Sequence, residues 1–261
     1  MAHDLGTSGN KATLYTTEGE LVNSVVARYE TFYEQERWAE QNPEDWWKAV
    51  CESSKMLMSE HDKTDLIAIS FSGQMMGCLC LDKNGNPLTN SIIWADTRSY
   101  KECEELNERF GSEKICSIIG QQLSPNFALT KLMWVKKNLP EVYKNTAISV
   151  QAKDYIAWKM TGRHVTEQTD AAFYQAFDVG ENHWSWELID AAGIRTDIFP
   201  EVVDCADIVG EVTKEAAQEL GIRHGIPVVA GAGDGPASSL GAGAVRAGIA
   251  FMTMGSTCGL A

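Results

Sequence analysis

Three short segments of this chain combine residue types suited to phosphate and proton chemistry. The first is Asp4-Leu5-Gly6-Thr7-Ser8-Gly9-Asn10-Lys11, and the second is Gly231-Ala232-Gly233-Asp234-Gly235-Pro236. The third, Met254-Gly255-Ser256-Thr257-Cys258-Gly259, loosely echoes the first near the other end of the chain. A strand that turns sharply through glycine and hydroxyl residues presents backbone N–H groups to phosphate oxygens. Gly6, Thr7 and Ser8, and likewise Gly255, Ser256 and Thr257, are therefore candidate phosphate-binding residues, with Lys11 adding a point charge. Asp4, at a strand end, is placed to hold Mg²⁺ through water, because Mg²⁺ prefers carboxylate oxygen and keeps much of its hydration. Asp234 follows a strand and precedes Pro236, so its carboxylate is expected near a helix N-terminus, where the dipole favours the ionised form. Facing a cleft, such a carboxylate accepts the proton of a hydroxyl that attacks a γ-phosphate. Each segment taken singly reads as a plain turn, a helix-end stabiliser or a tight helix–strand contact. Their combination and order favour the chemistry.

Other nucleotide signatures are missing. GxxxxGK[ST] does not occur, and neither glycine cluster gives GxGxxG at the required spacing. The 261 residues are 44% hydrophobic and 22% charged, with a formal net charge of −14. An acidic surface repels phosphate backbones and anionic lipid, so neither nucleic acid nor membrane is an expected partner. No apolar run approaches the roughly 20 residues that a spanning helix requires. Seven cysteines, an odd and scattered set, make no disulfide framework. Cys78 and Cys80 are expected on one face of a strand as reduced packing thiols, which points to the cytoplasm.

The elements that must position these residues are legible as alternating strand and helix signals. Residues 12–17 and 21–29 read as strands around a turn at Glu18-Gly19-Glu20, following a first strand that ends near Asp4. Asn42 caps a helix that has Pro43 at its first position, Glu44 and Asp45 in its first turn, and Trp47, Val50, Ser54 and Leu57 along one stripe. Strands are expected at 66–71, 78–81, 91–94, 146–150, 227–230 and 249–254. Helices are expected around 100–110, 129–133, 153–161 and 213–220, and from Pro236 onward. Antiparallel hairpins followed by strand–helix alternation indicate a mixed α/β fold.

In this order the segments resemble the FGGY carbohydrate kinases, the family of glycerol kinase, xylulokinase and gluconokinase. Asp4 to Lys11 is similar to the family's first phosphate loop. Trp38-Ala39-Glu40-Gln41-Asn42-Pro43 with Trp46-Trp47 resembles the segment after the first hairpins. Ser72-Gly73-Gln74-Met75-Met76-Gly77 and Trp94-Ala95-Asp96-Thr97-Arg98 resemble the two sugar-facing loops. Ser124-Pro125-Asn126-Phe127 with Thr130-Lys131-Leu132-Met133-Trp134 is similar to a further substrate-side segment, and Gly233-Asp234 to the region of the base.

The resemblance implies an actin-like, ribonuclease-H-like α/β fold with a mixed sheet flanked by helices. Residues 1–245 would form one complete lobe, and 246–261 the opening strand and phosphate loop of a truncated second lobe, not expected to pack as a native-like sheet. It implies that Asp234 is the general base and that Asp4 positions Mg²⁺. Thr7, Ser8, Lys11, Ser256 and Thr257 would handle the phosphates of ATP as co-substrate, and Gln74, Met75, Met76 and Asp96 would line the sugar pocket. The loop at 73–77 is nearest to that of xylulokinases, which carry His where this chain has Met76. A xylulose-like ketose is the leading substrate, with little activity expected from this chain alone, and homo-oligomerisation is left open. Two other readings are a non-catalytic sugar-binding module on the same lobe and another actin-like ATPase. Asp234 argues against the first, and the Trp-rich 38–47 segment and the Trp94 to Arg98 loop, offered as stacking surfaces for sugar, argue against the second.

Overall fold

A computed structural model describes residues 1–254 and 258–260 of the chain. The first three strands are Ala2–Leu5 (β1), Gly9–Tyr15 (β2) and Leu21–Arg28 (β3), and they form an antiparallel meander. On the other side of β1 lies the parallel strand Ser70–Gly73, and beyond it the parallel strand Ala232–Gly233. The five-stranded sheet is thus mixed, with β1 and its two parallel neighbours delivering their carboxyl ends to one edge. Alternation along β1 buries His3 and Leu5 and turns Asp4 toward the opposite face.

The helix Pro43–Met58 (α1) covers β2 and β3, and it begins as the sequence requires: the Asn42 side chain accepts from the Glu44 N–H at 3.0 Å. Its buried stripe of Trp46, Trp47, Val50 and Met58 joins Leu5, Ile69 and Phe71 of the sheet in one apolar core, together with Tyr155, Ile156, Leu220 and Val228. A second core fills the space among helices Tyr100–Phe110, Ser112–Ile119, Ala128–Asn138 and Trp186–Ala191, around Leu106, Leu129, Leu132, Tyr174 and Leu188. Strand Leu79–Leu81, paired with Ile148–Val150, separates the two. Its period of two sends Leu79 and Leu81 into the first core and Cys78 and Cys80 into the second. Cys51, Cys78, Cys80, Cys103, Cys116 and Cys205 are free, and Cys78 and Cys80 are both buried.

Local departures from the sequence reading have physical causes. No element is expected between the strand at 227–230 and the helix from Pro236, yet Ala232–Gly233 pairs with Ser70–Gly73 and the next helix begins at Asp234. Gly231 makes this possible: its φ is +78°, and a Cβ there would collide with the Phe71 backbone. The strand expected at 91–94 shrinks to Ser91–Ile92, because its partner Glu40–Gln41 is equally short. The strand expected at 249–254 is Met252–Met254, which pairs with Cys258–Leu260 and with no strand of the main sheet.

Candidate active site

Ligands of α/β sheets bind beyond the carboxyl ends of parallel strands, and the chemistry-bearing residues gather there. Asp4, Ser72 and Ala232 lie abreast on three adjacent strands. The Ser72 hydroxyl donates to Asp4 Oδ1 at 2.7 Å. After β1 the chain turns through Gly6, Thr7 and Ser8, and the turn is held from outside. Tyr29 Oη donates to the Gly6 carbonyl at 2.5 Å, and Gln41 Nε2 donates to the Thr7 carbonyl at 2.6 Å. The Thr7 hydroxyl accepts from Trp94 Nε1 at 2.8 Å, which ties this turn to the loop bearing Trp94.

A cavity of about 420 Å³ opens between these parts, lined by Thr7, Met75, Met76, Trp94, Asn126, Phe127 and Asp234. It brings the turn after β1 and the carboxylate of Asp234 to one space. Its walls are mostly apolar, with few polar groups converging on them, as small-molecule sites are built. A somewhat larger groove of about 470 Å³ runs past Leu14, Val22, Met58 and Ile67 at the amino ends of the parallel strands. None of the candidate site residues reaches it, so size does not locate the site.

Asp234 is the first residue of the helix Asp234–Gly241, and its Oδ1 accepts from the Gly235 N–H at 2.7 Å. That bond lowers its pKa, as the helix-end placement suggested. Desolvation of the carboxyl outweighs it, with the nearby Asp4 charge adding to the effect, so Asp234 sits above the ordinary carboxylate value. A carboxyl shifted in this direction is a better proton acceptor when ionised than a free one.

The chain matches the FGGY family of carbohydrate kinases, N-terminal domain, over residues 1–241. It is 34% identical to the xylulose kinase of Bacillus subtilis (strain 168) over 256 residues, which is 97% of this chain and 51% of that protein. Among solved structures, a xylulose kinase from Brucella ovis superposes with a TM-score of 0.91 at 32% identity, covering 99% of this chain and 53% of that one. A gluconate kinase from Lactobacillus acidophilus gives 0.93 at 28% identity, covering 99% and 52%. The chain belongs to the FGGY carbohydrate kinases. It spans about half the length of the curated relatives it matches.

In this FGGY lobe the residues singled out from the sequence divide into four groups. Thr7, Met75, Met76 and Asp234 line the cavity. Asp4 and Lys11, paired across β1 and β2, line a neighbouring groove with Ser72 and Ala237, while Gly6 and Ser8 complete the turn. Gln74 and Asp96 stand behind the cavity and do not line it. Gln74 Nε2 donates to Gln41 Oε1 at 2.7 Å, in the network that also holds Thr7. Asp96 is fully buried; Arg98 grips both of its oxygens, and the Ala39 N–H donates to one of them at 2.7 Å. Its chemistry is spent on holding its own loop. Gly255, Ser256 and Thr257 lie outside the described residues.

The tryptophans of the 38–47 segment are corrected in the same way. Trp46 and Trp47 are core, and Trp38 lies over the Arg98 guanidinium at 3.7 Å, so none of them offers a face to the cavity. Trp94 does. It belongs to the Trp94 to Arg98 loop that the sequence also offers for stacking, whereas Asn126 and Phe127 stand there only within a motif, their signal a polar Asn between Pro125 and an aromatic. Asn126 Nδ2 donates to the Trp94 carbonyl at 2.9 Å, coupling two walls.

Among the described residues no cluster of three or more His, Cys, Asp or Glu could hold a metal ion. Two carboxylates, Asp4 and Asp234, stand close enough for the charge of one to raise the pKa of the other. Such a pair suits Mg²⁺, which needs few protein ligands and keeps several waters. When bound, the ion would neutralise phosphate charge and relieve the repulsion between these carboxylates.

Proposed function

We propose that this lobe supplies the sugar site and the general base of an ATP-dependent carbohydrate kinase, with a xylulose-like ketose as leading substrate. The carrying observation is that Asp234 and the glycine–hydroxyl turn after Asp4 share one cavity with the 73–77 loop. In that cavity the sugar lies against Met75, Met76, Trp94 and Phe127. One hydroxyl is directed at Asp234, which takes its proton as the oxygen attacks the γ-phosphate. The amides of Gly6, Thr7 and Ser8 hold phosphate oxygens, with Lys11 alongside, and Asp4 keeps the hydrated Mg²⁺ in place. Residues 1–245 form the sugar-side lobe, and the phosphate-handling role expected of Gly255, Ser256 and Thr257 falls outside the described residues. Met76 carries a thioether where xylulokinases carry His, so the pattern of hydroxyls gripped differs from theirs at that wall.

Relatives that are xylulose kinases, and others named gluconokinase, support a sugar acceptor. The 261 residues alone are expected to bind sugar but turn over ATP negligibly, since they span about half of such a kinase. Calorimetric titration of the chain with D-xylulose, D-gluconate and glycerol tests the pocket; failure to bind any of them overturns the reading. In the protein carrying the whole catalytic apparatus, Asp234→Ala is expected to lose at least about a hundredfold in kcat while keeping sugar affinity. Turnover that survives this change makes the lobe a binding module rather than the seat of the base. Because Asp234 is raised, the acid limb of kcat/KM is expected above the ordinary carboxylate pKa, and Asp234→Ala should abolish that limb.

A further inference from the structure

We propose that Lys131 is a positioning residue that holds the three loops walling the sugar cavity in register through a single ammonium group. Lys131 lies on the helix Ala128–Asn138 and is fully buried. Its Nζ donates to the carbonyls of Met76 at 2.9 Å, Ile93 at 2.7 Å, and Asn126. These carbonyls belong to the segments that supply Met75 and Met76, then Trp94, then Asn126 and Phe127. Those are the cavity's walls apart from Thr7 and Asp234. An ammonium has three N–H donors and no acceptor, so the match to three carbonyls is complete.

Packing alone does not account for a lysine here. Among the described residues Lys131 has no ion-pair partner, and burying an unpaired cation is costly where a Met or Leu would fill the same space at no such cost. The charged or titratable groups facing it are Asp96, Arg98 and Cys78, and Asp96 is already bound by Arg98. The backbone at Met76 gives a second reason. Its φ is +67°, a conformation that a bulky side chain holds only when its surroundings impose it, and the Met76 carbonyl is one of the three that Lys131 grips. Burial brings the ammonium down to about 7 against the opposing pull of Asp96, so near neutrality its donor count depends on pH. The neutral amine has two N–H groups for three carbonyls.

The proposal takes its ligand from the sugar-site reading, so its test has an arm that needs no sugar. Hydrogen exchange of the chain is compared between wild type and Lys131→Met. Amides at 75–77, 93–97 and 126–128 are expected to exchange about tenfold faster in the variant, with the first core unchanged. Uniform acceleration over the lobe, or none, overturns the proposal. If Lys131→Met does not fold, Lys131→Ala is measured with n-propylammonium or n-propanol. Recovery of protection with the cation alone supports the positioning role, and equal recovery with both reduces Lys131 to a space filler and overturns it. In the second arm D-xylulose is titrated into the same proteins. Binding about tenfold weaker in folded Lys131→Met, restored in Lys131→Ala by propylammonium, is the expected result, and unchanged affinity overturns it. A wild type that binds no sugar overturns the sugar-site reading, while the exchange arm still decides the role of Lys131.

Discussion

Two fully buried lysines underlie the candidate active site, and they are satisfied in opposite ways. Lys153 Nζ lies 2.9 Å from Asp154, 3.1 Å from Glu167 and 3.0 Å from Asp170. Lys131 touches only backbone carbonyls. Burial pulls both ammonium groups down. Around Lys153 the carboxylates of Asp154, Asp170 and Glu167 outweigh that pull and hold it well above the ordinary lysine value, whereas Lys131 settles at about 7. Each underpins a different part of the site. Glu167 beside Lys153 accepts from the Thr169 hydroxyl at 2.7 Å, and that hydroxyl accepts from the Gly233 N–H at 2.9 Å, directly before Asp234. The proposed base therefore rests on an ammonium that its carboxylates keep charged, and the proposed sugar-side loops rest on a charge that pH can remove.

The sharpest way to break this contrast is to remove each charge in turn. Lys153→Met leaves buried carboxylates without a counter-charge and is expected to cost about 3–5 kcal/mol, enough to abolish a cooperative transition in a lobe of ordinary stability. Lys131→Met leaves carbonyls short of a donor, which costs no more than about 3 kcal/mol. Urea unfolding of the two variants measures both. Equal losses would mean that the carboxylates add nothing to the anchoring of Lys153.

Much of this arrangement was legible in the sequence, and the limits are physical. The α1 cap, the β1–β2–β3 meander and the turn after Asp4 follow from local chemistry, which a sequence states directly. Asp234 and Thr7 line one cavity, and what pointed to both in the sequence was their residue types and order, which resemble a family pattern. The role of Asp96 was not legible. Nothing in Trp94-Ala95-Asp96-Thr97-Arg98 says that the arginine two residues on folds back to take both carboxylate oxygens. Lys131 left only a faint signal, a cation between the buried Leu129 and Leu132 on one helix. Its partners are main-chain carbonyls, which every residue has, so side-chain types could not reveal them.

The pH dependence separates the two lysines further, with a sign fixed by linkage. The pKa of Lys131 falls from the model-peptide value of 10.5 to about 7 on folding, so between these pH values the unfolded chain binds more protons and stability rises with pH. Relative to Lys131→Met, the wild type should gain about 2 kcal/mol between pH 7 and pH 9. Lys153 is raised, so its contribution is fully present below 10.5 and is lost only above it. Sugar affinity should move the other way from stability, weakening as the Lys131 ammonium is lost. Denaturant midpoints and calorimetric titrations across this range check both signs, and parallel trends would show that the carbonyl clasp does not shape the cavity.

A smaller effect probes the Lys153 side without touching its charge. A Cβ at Gly233 would run into the side chain of Met75, which is buried against the cavity wall, whereas a Cβ at Gly235 meets nothing within 4 Å. The Gly233 backbone lies at φ −58°, so alanine is unstrained there and the cost comes only from displaced Met75. Gly233→Ala is expected to push the thioether toward the cavity and weaken sugar binding by about 1 kcal/mol, roughly fivefold, with the fold kept. Gly235→Ala should change affinity by less than about 0.5 kcal/mol. Thermal melts and D-xylulose titrations of the pair distinguish the positions. If both behave alike, Met75 yields freely, and its thioether is softer than the neighbouring Met76 backbone that Lys131 clasps.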